Sequence, residues 1–175
     1  DLAKISTAAI SALTSAQAAN LTTDQVVALT TAQAAQLGTV ALAGLNSAQV
    51  AALETADLAK LSTDAIQSIS TAALAGLNAA TQVSKLTTAQ VAALTTAQVN
   101  ALSTAQVAAM STEQVSKLSS DQLAVMTTAQ IAAIEVADLQ EFSSDQIVAL
   151  NSVQIASLKI DRVKGLSSED RKSVV

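Results

Sequence analysis

Large apolar residues return along this chain at two fixed places in every eight. From Thr87 the text runs TTAQVAAL, TTAQVNAL, STAQVAAM, STEQVSKL, SSDQLAVM, TTAQIAAI, EVADLQEF, SSDQIVAL, NSVQIASL and KIDRVKGL, ending at Leu166. The same octad runs through residues 6–77, opening with STAAISAL, TSAQAANL and TTDQVVAL, and a nine-residue unit, 78–86, joins the two blocks. The eighth position is always large and apolar, from Leu13 and Leu21 through Ile69, Met110, Met126 and Phe142 to Leu166. The fifth is Val, Ile or Leu in nearly every unit, with Ala18 and Ala34 as smaller exceptions. A fixed period of this kind decides the architecture before any single element is assigned.

The polar positions say what each unit does. The first is mostly Thr, Ser or Asn and the fourth mostly Gln. That spacing is a capping box: the first side chain accepts from the amide three residues on, and the glutamine reaches back to the capping amide. Every octad therefore starts a helix. Positions five and eight are three apart, so they share one helical face. Alanine at the third, sixth and seventh positions favours helix and lets backbones approach closely.

One continuous helix does not fit the period. Eight residues at ~100° each overshoot two turns by about 80°, so the apolar pair would wind around the axis and form no seam. The pattern predicts helices of roughly six or seven residues joined by tight corners. A β-solenoid is the rival, favoured by Thr and Val; the dominance of Ala, Gln and Leu and the lack of period-two alternation oppose it. Helices this short do not stand alone in water. The sequence thus predicts an all-α solenoid of about twenty short capped helices in which each unit stacks on its neighbours. It forms a single repeat domain over 1–175: nine octads at 6–77, the unit 78–86, ten octads at 87–166 and a polar end at 167–175.

Composition narrows the chemistry. There is no His, Cys, Trp, Tyr or Pro, one Phe and only four glycines in 175 residues. Disulfides, thiol nucleophiles, imidazole bases and the usual ligands of zinc, copper or haem iron are thereby removed. The net charge of -5 opposes nucleic acid and anionic membranes. Thr, Ser and Gln interrupt the apolar residues every few positions, so no run is long enough to span a bilayer. Five of the nine basic residues, Lys159, Arg162, Lys164, Arg171 and Lys172, lie in the last 17 positions. The chain opens on Asp1 with no signal-like segment, which reads as a mature or excised piece.

Three features resemble sites. Glu135, Asp138, Glu141 and Asp145 form an acidic cluster where EVADLQEF departs from the usual text, with the oxygen chemistry of calcium binding or glycoside hydrolysis. No calcium-loop motif and no aromatic sugar platform accompanies it, so a solvated face is expected. Threonine pairs (Thr22-Thr23, Thr87-Thr88, Thr95-Thr96, Thr127-Thr128) recur at unit spacing and would suit an ordered hydroxyl array for ice or glycans, although capping already accounts for the first of each pair. The glutamine column, Gln90, Gln98, Gln106, Gln114, Gln122 and Gln130, is expected to serve as capping partner ahead of any binding ladder. Ser84-Lys85 and Ser116-Lys117 lie in no nucleophile motif. No catalytic, cofactor-binding or metal residue is assigned.

The segment LTTDQVVAL, Leu21 to Leu29, resembles the opening helix of a TAL-effector repeat. The likeness covers one short helix, without the base-reading loop, and does not carry DNA binding over to this acidic array. Over Leu2 to Leu166 the octads look more like the Thr/Ala/Gln/Val/Leu-rich tracts of large bacterial secreted and surface proteins, often called adhesin-like. That resemblance implies an extracellular spacer, stalk or filament block, and a binding module on the repeated Thr or Gln face is the alternative. The N-terminal Asp1-Leu2-Ala3-Lys4-Ile5 matches Asp57-Leu58-Ala59-Lys60-Leu61, the last five positions of an octad, whereas the apolar stripe stops at Leu166. Head-to-tail self-association through these unlike ends is expected, without nucleic acid and without membrane insertion.

Overall fold

The computed structural model describes residues 2–158. Among them are eighteen α-helices, α1 to α18, from Thr7–Ser11 to Ser152–Ser157, one for each octad, with no strand. Two 3-10 turns, Leu2–Lys4 and Val83–Lys85, occupy the incomplete first unit and the nine-residue unit. The all-α solenoid expected from the octad is the fold observed.

The helices run four to six residues, shorter than the six or seven expected. The difference lies at the eighth position. Its amide closes a tight i→i−3 bond, as in Leu94 N to Val91 O at 3.2 Å, and its backbone then turns extended, as at Leu94 (φ -54, ψ 137). The next residue is the extended cap of the following helix, as at Thr95 (φ -69, ψ 157). Two extended residues in succession make each corner. Among the described residues none has positive φ, so the corners need no glycine. This is how so many breaks fit into a chain with four glycines.

Caps form as the spacing predicts. Both halves of the box are present in twelve helices, including α3 (Thr23–Val27), α10 (Thr88–Ala93) and α14 (Ser120–Val125). Fifth-position residues such as Leu58, Val91 and Leu123 are fully buried, and eighth-position residues are buried from Leu29 onward. They form one continuous hydrophobic cluster from Ile10 to Leu158. With no large aromatic inside except Phe142, the core gains its stability from many small aliphatic contacts.

The expected stacking on sequence neighbours is corrected. The principal helix contacts join units three apart: α2 (Ser15–Ala19) with α5 (Thr39–Gly44), α5 with α8 (Thr63–Ser68), α12 (Thr104–Ala108) with α15 (Thr128–Ala133), and α15 with α18. Hydrogen bonds of the same reach join Asn100 Nδ2 to Val125 O at 2.6 Å and Ser120 Oγ to Asp145 O at 3.3 Å. Short helices meet end to corner along the sequence and side by side only after a superhelical turn. Turning the chain at every octad therefore moves the packing surface three units along.

The approach is closest where the seventh residue is glycine. A Cβ on Gly44 would lie 2.2 Å from Ser15 O, and one on Gly76 2.2 Å from Ser47 O. Gly38, by contrast, has 3.6 Å of clearance to Ser11 O. Gly44→Ala and Gly76→Ala are expected to cost about 1–3 kcal/mol each through backbone displacement. Gly38→Ala loses only a weak cap, so it should cost less than either. Denaturant melts of the three variants check the order.

Candidate functional site

The repeated chemistry of the chain converges on the fourth position of the octad. Its glutamines point inward: Gln33, Gln49, Gln82, Gln90, Gln98, Gln106, Gln114, Gln122, Gln130, Gln146 and Gln154 are all buried. Each capping-box glutamine accepts the cap amide of its own helix through Oε1, as from Thr87 N to Gln90 at 2.8 Å and from Ser119 N to Gln122 at 2.7 Å. The remaining Nε2 then donates to backbone carbonyls four units earlier. Gln130 Nε2 lies 2.9 Å from Val99 O and 2.7 Å from Leu102 O, and Gln154 Nε2 lies 2.9 Å from Leu123 O and 2.7 Å from Met126 O.

The accepting carbonyls belong to the eighth residue of the earlier unit and, in most units, to the fifth, with Ser116 at the sixth position serving Gln146. They sit at the C-terminal end of its helix, where the fifth carbonyl also accepts the eighth amide of its own unit and the eighth lies among the carbonyls an α-helix leaves without intrahelical partners. One side chain thus satisfies the N-terminus of its own helix and the C-terminus of another. An amide suits the task because it carries an acceptor and two donors on one planar group. Helix contacts three units apart and amide bonds four units apart place one superhelical turn between three and four octads.

Register is held in units rather than residues. Within either block the amide reaches back 28 residues to the eighth-position carbonyl, as from Gln33 to Ile5 and from Gln122 to Leu94. Where the path crosses unit 78–86 the same bond spans 29, as from Gln90 to Leu61 and from Gln106 to Leu77. The extra residue is absorbed before the helix turn. Asn78 N still donates to Gln82 Oε1, at 2.7 Å across four residues instead of three, and Gln82 Nε2 still reaches Leu53 O at 2.7 Å.

The exceptions follow the same geometry. Gln17 and Gln25 keep their caps but are exposed and bond no carbonyl. Ala41, Ala65 and Ala73 bring no polar atom to the position. Asp57 and Asp138 do, and both are buried. Their helices, α7 (Thr55–Leu58) and α16 (Val136–Leu139), begin at Glu54 and Glu135, which make no side-chain cap bond.

The other sequence candidates separate. Of the acidic cluster, Asp138 is buried while Glu135, Glu141 and Asp145 are exposed, and no group of three acidic, His or Cys residues suited to a metal occurs among the described residues. First-position threonines cap their helices, as expected. Second-position Thr23, Thr96 and Thr128 are exposed. Successive ones are displaced around the superhelix, so aligned rows along it join units three and four apart rather than adjacent octads. Ser84 and Ser116 donate to backbone carbonyls of their own units, Ala80 O and Glu113 O. Asp1 and the charged end at Lys159, Arg162, Lys164, Arg171 and Lys172 lie outside the described residues.

Capping was visible in the glutamine column, and its second partner was not. The signal was there: a capping box accepts Glu as readily as Gln, yet no fourth position in this chain holds Glu. Only the primary amide retains a donor once its oxygen is used by the cap.

The family model described as ALTTAQ repeat matches residues 1–31, 50–88, 79–104, 104–133 and 131–168, which together make up most of the chain. None of the curated proteins compared matches it.

Because the two amide roles are separable, one substitution distinguishes them. Gln106→Glu retains the capping oxygen but removes the amide donor to Leu77 O, leaving Leu74 O with only the Leu77 amide, at an expected cost of about 1–3 kcal/mol. Gln25→Glu makes the same change where the amide has no carbonyl partner, and should stay within ~0.5 kcal/mol of the parent. Equal losses in chemical denaturation would show that capping alone sets the requirement for Gln.

Proposed function

The chain belongs to the ALTTAQ repeat family, and from that premise we propose that it is a non-catalytic structural segment: an extracellular rod or spacer of a bacterial surface or matrix protein. The observation that carries this reading is where the repeated polar side chains go. Glutamine, the polar residue most regularly buried, is consumed in bonds between turns of the superhelix, so what the octad repeats is the means of extending the array. No helix of the described residues is long and apolar enough to cross a membrane. Among the described residues the buried glutamines belong to the scaffold, and the carboxylates other than Asp57 and Asp138 are exposed.

Length is then the property that the number of repeats sets. Head-to-tail association of copies through their unlike ends extends the same reading. Such a contact does not close on itself and leads to filaments.

Small-angle scattering on deletion variants tests the proposal. Removing residues 87–142, seven octads or about two superhelical turns at ~9 Å per helix layer, should shorten the particle by roughly 18 Å and leave it folded. Removing the single octad Thr95–Leu102 should also preserve folding, whereas removing Thr95–Gln98 displaces every downstream amide from its carbonyls and should lower stability far more. A particle whose length does not follow the octad count would defeat the spacer reading. Light scattering across a concentration series, with and without residues 159–175, tests assembly; a strict monomer unchanged by the truncation would leave a spacer without filament formation.

A further inference from the structure

The octad 54–61 holds the one side chain among the described residues whose polar atoms are fully buried without any partner. Asp57 is 1% exposed, and neither Oδ1 nor Oδ2 has a hydrogen bond. It stands at the fourth position, where eleven glutamines direct an Nε2 onto the eighth-position carbonyl four units earlier. For Asp57 the register makes that carbonyl Leu29 O, 28 residues back, and Leu29 O accepts no hydrogen bond. The Glu54 amide, which a glutamine at position 57 would cap, has no acceptor either.

Replacing glutamine by aspartate changes two things at once. The side chain loses a methylene, so it falls short of both former partners. It also exchanges its donor for a second acceptor. By the register of the column this carboxyl is assigned to the C-terminal end of the 23–27 helix, whose carbonyls carry partial negative charge and offer no donor. Water supplies donors to such a group but no compensating charge, and a buried carboxylate without either is costly. Ala41, Ala65 and Ala73 avoid the conflict at the same position by bringing no polar atom.

We propose that Asp57 and the carbonyl oxygen of Leu29 form a site for a small hard cation, sodium, potassium or calcium, bound between two turns of the superhelix. All-oxygen ligation is the chemistry of these ions, and the chain has no His or Cys to favour a transition metal. The cation takes the place of the glutamine amide as the positive link between the fourth position and the carbonyl four units earlier.

The test is thermal melting of the full chain at constant ionic strength, with tetramethylammonium chloride replaced stepwise by sodium, potassium or calcium chloride. The parent should gain a few degrees, saturably, with at least one of the three ions. Asp57→Asn should lose that gain. Asp57→Gln should also lose it while melting higher than the ion-free parent, because it restores the residue used elsewhere in the column; this variant keeps the test decisive if Asp57→Asn fails to fold. Asp24→Asn, which removes an exposed carboxylate from the neighbouring turn, should retain the gain. No ion-specific rise in the parent, or a rise that persists in Asp57→Gln, overturns the proposal.

Discussion

The structure depends on a backbone problem created by its short helices. An α-helix leaves its first amides and last carbonyls unpaired, and in helices of four to six residues these ends are most of the element. Burying so many ends in a helical array is feasible only if each has a partner. The fourth-position glutamine supplies one oxygen to its own helix's start and one NH2 to another helix's finish. Much else follows from it. The corner stays extended, and the eighth carbonyl meets an amide from the unit four places on.

The array repeats, one level up, the logic of the α-helix. There a residue meets those three and four ahead; here a unit packs on the unit three ahead and hydrogen-bonds to the unit four ahead. The costs of starting are alike as well. An α-helix fixes several residues before its first bond forms, and this superhelix must place four units before its first amide link closes.

The parts of the fold legible in the sequence are those with local causes. Ser, Thr or Asn followed three residues later by Gln located the helix starts, and the fifth and eighth positions located the core, because both effects act within one octad. The packing partner was not legible. The angle through which two extended corner residues rotate each helix accumulates over three units, and no single residue type records it. Gly44 and Gly76 mark the tightest approaches, but only with Ser15 and Ser47 opposite does their absence of side chain acquire a meaning. Asp57 was read within an N-terminal match to DLAKL, and its isolation emerged only when the carbonyl 28 residues earlier came into view.

The orientation of the amide bonds also fixes how the molecule bears load. They tie successive turns to one another, so tension along the superhelix falls on three or four of them per turn acting together, together with the apolar contacts beside them. Interior turns share the force. At an extremity the bonds can instead be broken in sequence, each freed octad adding eight residues of slack. Such a segment resists stretching in its middle and yields from its ends, lengthening by countable increments before the whole array is lost.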